Sequence, residues 1–313
     1  MSISKEIERI QQAKKDIGDA IVRKGGSVSG TIDTYAKSVM ALGDVSFRTA
    51  IDIVNKSDAK NVDLTMISPK NETSLRDLFY GNTNLIHINA TNWDTSNITS
   101  LRSTFGRMEN IESVDLSDWN VSNVTTFYAL FDACSHLKTI DVSKWNTSSA
   151  TSMGWMFNRT DLNTLDVSNF NTSNVTDMFA MFSSSRSLTR LDISNFNTSK
   201  VLDLSRSFSY WDNVCEELNI SGLNLTRVTS INNAFYATNF KVIRSDGLRF
   251  PNIDMSKIGL ANSTALTVDS IVGLLNALPQ SDKGYSFQIG SNNIAKLSDE
   301  QKAIATDKGW TLI

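Results

Sequence analysis

The sequence predicts an α/β repeat solenoid of short parallel strands joined by helical or 3-10 turns, with an N-terminal helical hairpin and a small α+β C-terminal cap. Two observations carry this. A unit of about 26 residues recurs through most of the 313-residue chain, and such a unit cannot bury its apolar face alone, so neighbours must stack. Both ends depart from the unit, as terminal rungs must when their outer faces meet water.

The period is plainest in LDVSNFNTSNVTDMFAMF from Leu165 and LDISNFNTSKVLDLSRSF from Leu191. The same frame fits Ile88, Val114 and Ile140, with weaker copies at Val62, Leu218 and Ile243. These eight anchors lie 25–27 residues apart, inside the roughly 20–29-residue range of leucine-rich repeats. A strand opens each unit, with apolar residues such as Leu162, Leu165 and Val167, or Leu188, Leu191 and Ile193. Five positions after the anchor comes Trp93, Trp119, Trp145, Phe170, Phe196 or Leu223. An Asn/Ser/Thr-rich turn follows, then an apolar cluster such as Val175, Met178, Met181 and Phe182 at helix-like spacing. The unit closes on Phe79, Phe105, Phe131, Phe157, Phe182, Phe208 or Phe235. Stacked rungs should bring these rings about 5 Å apart, close enough for offset stacking.

A column of aspartates follows the anchors directly: Asp63, Asp115, Asp141, Asp166 and Asp192, with Asn89 and Asn219 in the same place. Like charges in register repel, so each carboxylate is expected to accept bonds from backbone N–H groups or from Ser117, Ser143, Ser168 and Ser194 two residues on. A cation-binding strip is the lesser reading, since no EF-hand-like loop accompanies it. Cys134 and Cys215 fall three repeats apart, about 15 Å at ~4.8 Å per strand, too far for a disulfide; they read as small core residues. The many N-x-[ST] sequons, Asn97, Asn123, Asn146, Asn171, Asn174 and Asn197 among them, are by-products of the repeat's turn.

The ends complete three expected segments: 1–45, anchoring or oligomerisation; 46–258, solenoid; 259–313, cap. Ile7, Ile10, Ile17 and Ile21 lie on the apolar stripe of a helix stopped at Gly25-Gly26, and a second helix is expected from about Asp33 to Leu42. At the far end Thr267 or one of its neighbours can cap a helix through Ile271, Val272, Leu274, Leu275 and Leu278, ended by Pro279. Tyr285, Phe287 and Ile289 alternate as a strand, Ser298-Asp-Glu-Gln301 matches a capping box, and Trp310–Ile313 ends the chain as a strand.

Composition narrows the function classes. A net charge of -3 gives no electrostatic reason to expect nucleic acid. No run of about 18 apolar residues exists to span a bilayer, and Met1–Gln12 lacks the apolar core of a secretory signal. His87 and His136 keep no metal-ligand spacing, and no nucleophile elbow, P-loop or dinucleotide fingerprint occurs. No enzyme, metal or cofactor is expected. The repeat columns that vary are the binding candidates: His87, Ser113, Thr139, Thr164, Arg190 and Glu217, each immediately before its anchor.

The run LDVSNFNTSNVTDMFAMF resembles the BspA-like leucine-rich repeats of bacterial surface proteins, over about residues 59–250. The stretches LTVDSIVGLLNALP and KLSDEQKAIATDKGWTLI, within Leu266–Ile313, resemble the unit that closes such proteins. The segment Ile10–Val39 resembles leaders of virion proteins from phages of gut Bacteroidetes. The repeat resemblance implies binding or adhesion with no catalytic residues to carry over. The expected role is a phage fibre, spike or decoration made in the host cytoplasm. It would attach to other virion proteins, or form a homo-oligomer, through the helices around Ile7, Ile10, Ile17 and Ile21, and present the solenoid to a host surface protein or glycan. The alternatives are a BspA-like adhesin on a bacterial surface and an intracellular scaffold.

Overall fold

A computed structural model describes residues 46–211 and 214–313; the expected helical hairpin and its attachment residues Ile7, Ile10, Ile17 and Ile21 lie outside them. The chain winds into a β-solenoid of about ten turns. Strands β1 (Asn61–Asp63), β2 (His87–Asn89) and β3 (Ser113–Asp115) form one parallel sheet. Strands β4 (Arg190–Asp192), β5 (Val214–Asn219) and β6 (Asn239–Arg244) form another. Their register places anchor on anchor: Val62 on Ile88 on Val114, and Leu191 on Leu218 on Ile243. Between the two sheets, at Ile140 and Leu165, pairing thins to single contacts such as Lys138 N–H to Glu112 O (3.4 Å) and Asn163 N–H to Lys138 O (3.2 Å). A second ladder runs twelve residues after each anchor, through Ser74, Ser100, Thr126, Ser152, Asp177, Asp203 and Ser230.

The helical or 3-10 turns expected within each repeat are not there. Among the described residues the helices lie at Phe47–Asn55 and from Leu260 onward, on either side of the repeats. In their place stand consecutive β-turns. In the rung of Leu165, Met178, Ala180, Phe182 and Ser184 each donate their N–H to the next rung, at Asp203, Ser205, Ser207 and Ser209. Met181 and Ser183 close turns onto Met178 and Ala180 three residues back. Such alternation needs a left-handed residue at two places per rung, and the backbone supplies it. Asp77, Ser103, Ala129, Trp155, Ala180, Arg206 and Asn233 form one positive-φ column. Four residues later Gly81, Arg107, Ala133, Arg159, Ser184, Tyr210 and Ala237 form the other. A left-handed residue every few positions forbids an α-helix, and the carbonyls a helix would use internally bond the neighbouring rung instead.

The core is continuous. The seven closing phenylalanines, all fully or almost fully buried, stack from Phe79 to Phe235 with centroids 5.4–6.1 Å apart and ring planes within 19°. Beside them Trp93 stacks on Trp119 at 5.5 Å and Phe170 on Phe196 at 6.4 Å. Trp93 and Trp119 each donate Nε1–H to a carbonyl of the rung before, Leu64 (2.9 Å) and Ala90 (3.0 Å). Trp145, equally buried, has no partner for its Nε1–H among the described residues.

The NTSNVT motif is explained residue by residue. Its first Asn accepts from the Ser two positions on (Asn120 from Ser122, 3.1 Å). The buried Thr donates to the next rung (Thr172 to Asn197 O, 3.1 Å). The second Asn donates to the previous rung (Asn174 to Ser148 O, 2.9 Å), Val is core, and the last Thr again reaches back (Thr151 to Thr125 O, 3.1 Å).

Each end is closed by a dissimilar unit. At the start, α1 (Phe47–Asn55) is capped by Ser46 and buries Ile51 and Val54. It sets Phe47 edge-on against Trp93 at 5.0 Å and lets Asn55 Nδ2 donate to Leu78 O at 2.7 Å. The repeat frame did not reveal this helix. At the other end α2 (Val268–Asn276) begins at Thr267 and buries Ile271, Leu274 and Leu275. Ser270 Oγ accepts the Ile243 N–H (3.0 Å), so the helix covers the edge of β6. Strands β7 (Ser286–Phe287) and β8 (Thr311–Leu312) extend the second ladder from Met255. Between β7 and β8 come the short helix α3 (Ser291–Ile294) and then α4 (Asp299–Thr306), which carries the capping box of Ser298 and Gln301.

Candidate binding site

In a strand the residues on either side of a buried anchor face the same way, outward. The column before the anchors and the column after them therefore flank one strip along the strand face. Over the first rungs this strip is an open groove of about 690 Å³. One wall is Asn61, His87, Ser113, Thr139 and Thr164, the other Asp63, Asn89, Asp115 and Asp141, and Val62, Ile88, Val114 and Ile140 form the floor. The structure thus gathers His87, Ser113, Thr139 and Thr164 around one groove, with His87 Nδ1 2.8 Å from Ser113 Oγ. Arg190 and Glu217 stand face to face further along the same column, outside this lining. There the surface is paired within itself: Arg244 pairs with Glu217, Lys241 with Glu216 at 3.3 Å, and Asn219 donates to Asp192 at 3.0 Å.

The aspartate wall is held by local bonds. Ser117, Ser143 and Ser194 each give both N–H and hydroxyl to one oxygen of the preceding aspartate, at 2.7–3.1 Å. Ser168 gives its N–H to Asp166 at 2.9 Å. The Ser143 and Ser168 donors hold Asp141 and Asp166 below the usual carboxylate range. At Asp192 partial burial acts upward, but the donors from Ser194 and Asn219 outweigh it and its carboxyl is also lowered. Asn takes the same place and accepts the same bonds at Asn89 and Asn219, so turn formation, not charge, is what the column requires. Among the described residues no group of three or more His, Cys, Asp or Glu is arranged to hold a metal ion, and no helix is long and apolar enough to cross a membrane.

The cysteines are free and buried. Burial pushes the Cys215 thiol up to about 12 and the Cys134 thiol higher still, which keeps both protonated and inert.

The turn-built side is a second surface, exposed at Tyr80, Tyr210 and Tyr236 among others, that the repeat frame did not single out. Its two positive-φ columns, each with the residue before it, form two ridges. Arg102 lies over the Tyr128 ring at 4.3 Å, and Trp155 meets Phe179 at 5.3 Å. On the second ridge Arg107 lies over Tyr80 at 5.7 Å and Tyr210 meets Tyr236 edge-on at 5.5 Å. The sequence signal was available: these columns gather arginine and aromatic residues, but they vary between rungs and so drop out of a consensus.

The family model for "Mycoplasma protein of unknown function, DUF285" matches the chain three times, at residues 49–164, 73–189 and 130–246. The overlapping matches slide along the stacked rungs and together take in well over half of the 313 residues. The chain belongs to this family. It is a repeat solenoid of the BspA-like type. No curated protein matches it.

Proposed function

We propose that the chain is a non-catalytic binding solenoid whose strand groove takes a host surface protein or glycan. The supporting observation is the groove itself: hydroxyl and imidazole groups on one wall and carboxylates with an amide on the other, repeated rung by rung. Such a surface offers hydrogen bonds at each rung to a polar, extended ligand. For its setting we propose a phage particle, where it would serve as a fibre, spike or decoration attached through the N-terminal segment around Ile7, Ile10, Ile17 and Ile21. That setting rests on the resemblance of Ile10–Val39 to leaders of virion proteins. A second setting, a bacterial surface adhesin, rests on the BspA-like type of the repeat, which is compatible with surface binding.

Two measurements test these readings. Labelled protein should bind intact host cells, and the triple variant His87→Ala, Thr139→Ala, Thr164→Ala should lose at least tenfold in affinity while melting unchanged; undiminished binding by that variant sinks the groove assignment. Mass spectrometry of purified particles should find the chain at structural stoichiometry. Its absence there, with surface labelling of producing bacteria, would replace the virion setting by the adhesin.

A further inference from the structure

The turn face has a composition that packing does not explain. Its two ridges offer four positions on each of seven rungs. Five of these hold arginine and six hold an aromatic residue, while none holds lysine or glutamate, although the chain has 17 lysines against 13 arginines. The turns themselves do not need these side chains. The column that holds Trp155 and Arg206 accepts Ala129, Ala180 and Asn233 in other rungs, and the column of Arg107, Arg159 and Tyr210 accepts Gly81, Ala133 and Ala237. Arg76, Arg107, Arg159, Arg206, Tyr80, Tyr210 and Tyr236 are exposed there, and Arg102, Tyr128, Trp155 and Phe179 are half-buried. Their charge is also lopsided: of the ridge carboxylates Asp77 and Asp132, the first is already paired with Arg76 at 3.1 Å, in a chain whose net charge is -3.

We propose that this turn face binds an acidic polysaccharide, guanidinium forks taking its carboxylate or sulfate groups and the aromatic rings taking faces of its sugar rings. The inference rests on reading the solenoid as a ligand-binding surface, and it assigns a ligand class to a face other than the strand groove. Arginine rather than lysine is what bidentate recognition of a planar or forked anion requires. The Arg102–Tyr128 stack at 4.3 Å holds one such fork in place before any ligand arrives, which lowers the ordering cost of binding. The rungs rise about 4.8 Å each, comparable to one sugar unit of an extended chain, so a polymer lying along the ridges meets equivalent groups at successive units. A simple counter-ion field would be served equally well by lysine and would need no rings.

The test uses the full chain and defined polymers: polygalacturonate and heparin as probes, neutral dextran and poly-L-glutamate as controls, read by titration calorimetry. Both acidic polysaccharides should bind at least tenfold more tightly than either control, and weaken in 0.5 M salt. The variant Arg102→Ser, Tyr128→Asn, Trp155→Asn should lose at least tenfold in affinity while keeping the circular dichroism of the folded parent, since Ser205, Asn232 and Asn233 occupy the same columns in intact rungs. The groove substitutions at His87 and Thr139 should leave polysaccharide binding unaltered. Failure to bind either acidic polysaccharide overturns the proposal, as does polyglutamate binding as well as they do, or an unaffected triple variant. Cell binding that persists under such a failure leaves the groove reading standing, so the two fail separately.

Discussion

Replacing Phe131 and Phe157 by leucine, singly and together, measures what the phenylalanine column contributes beyond burial. Both rings are fully buried and stack on each other at 5.9 Å with planes 15° apart. Each also has a ring on its other side, Phe105 at 5.5 Å and Phe182 at 6.0 Å. A leucine in a phenylalanine site costs about 1.5 kcal/mol through lost volume, and each lost ring pair adds about 0.5–1.5 kcal/mol. A single substitution should therefore cost about 2.5–4.5 kcal/mol. The double variant removes the shared pair only once, so it should fall short of the sum of the singles by that pair's energy, about 0.5–1.5 kcal/mol. Phe131→Leu with Phe208→Leu, whose rings are not adjacent, should be additive to within about 0.5 kcal/mol. Urea unfolding followed by circular dichroism supplies the free energies. Equal coupling in the adjacent and distant pairs, or none in either, would refute the claim that ring stacking adds to burial here.

Other parts of the fold give further expectations. Trp119→Phe should cost about 1 kcal/mol more than Trp145→Phe, because only Trp119 gives up a hydrogen bond, to Ala90 O; equal melting shifts would count against this. Asp141, Asp166 and Asp192 are all lowered in the fold, so their contribution is full above the unfolded carboxylate value of about 3.9 and is lost as pH falls through the lower folded values. The variant with all three changed to Asn keeps the turns, and its urea midpoint should fall less between pH 6 and pH 3 than that of the parent; parallel profiles would sink the assignment. His87→Ala, Thr139→Ala and Arg190→Ala should each shift stability by no more than about 0.5 kcal/mol, and unfolding by the triple variant would mean the strand faces have been assigned the wrong way round. Asn55→Ala removes the donor to Leu78 O and should loosen the first rung, seen as faster amide exchange at Leu78 than at Leu130.

What the sequence made legible was the register. A side chain that recurs at fixed spacing for a packing reason announces its column, and so the anchors, the indole and phenyl columns and the capping motifs at Thr267 and Ser298 could be read directly. The path of the chain between columns was less legible. Val175, Met178, Met181 and Phe182 point inward whether the backbone is a helix or a run of turns, because both bring residues three or four apart to one side. The discriminating facts, a left-handed Ala180 and Ser184 and the N–H groups bonded to the next rung, leave no mark on hydrophobicity. Helix α1 escaped notice for a different reason. Its stripe of Phe47, Ile51 and Val54 is regular, but it lies where the repeat frame fades and no repetition drew attention to it. Of the candidate site, the variable column was found because it varies. Its acidic counterpart points from sequence to turn chemistry first and a cation strip second, not to a groove wall, and the turn-face arginines belong to columns with no consensus at all.

The bonding of each rung to its two neighbours alone has a genetic consequence. Excising the stretch from Val114 to Thr139 would join Ser113 to Ile140 and lay Phe157 against Phe105, Trp145 against Trp93 and Asp141 beside Asn89, a meeting of Asp and Asn that the column already contains at Asn89 and Asp115. Insertion of a copied stretch would do the same in reverse. Length is therefore a quantity that unequal recombination within the gene can change by whole rungs, lengthening or shortening the displayed surface while the closing units at either end stay as they are.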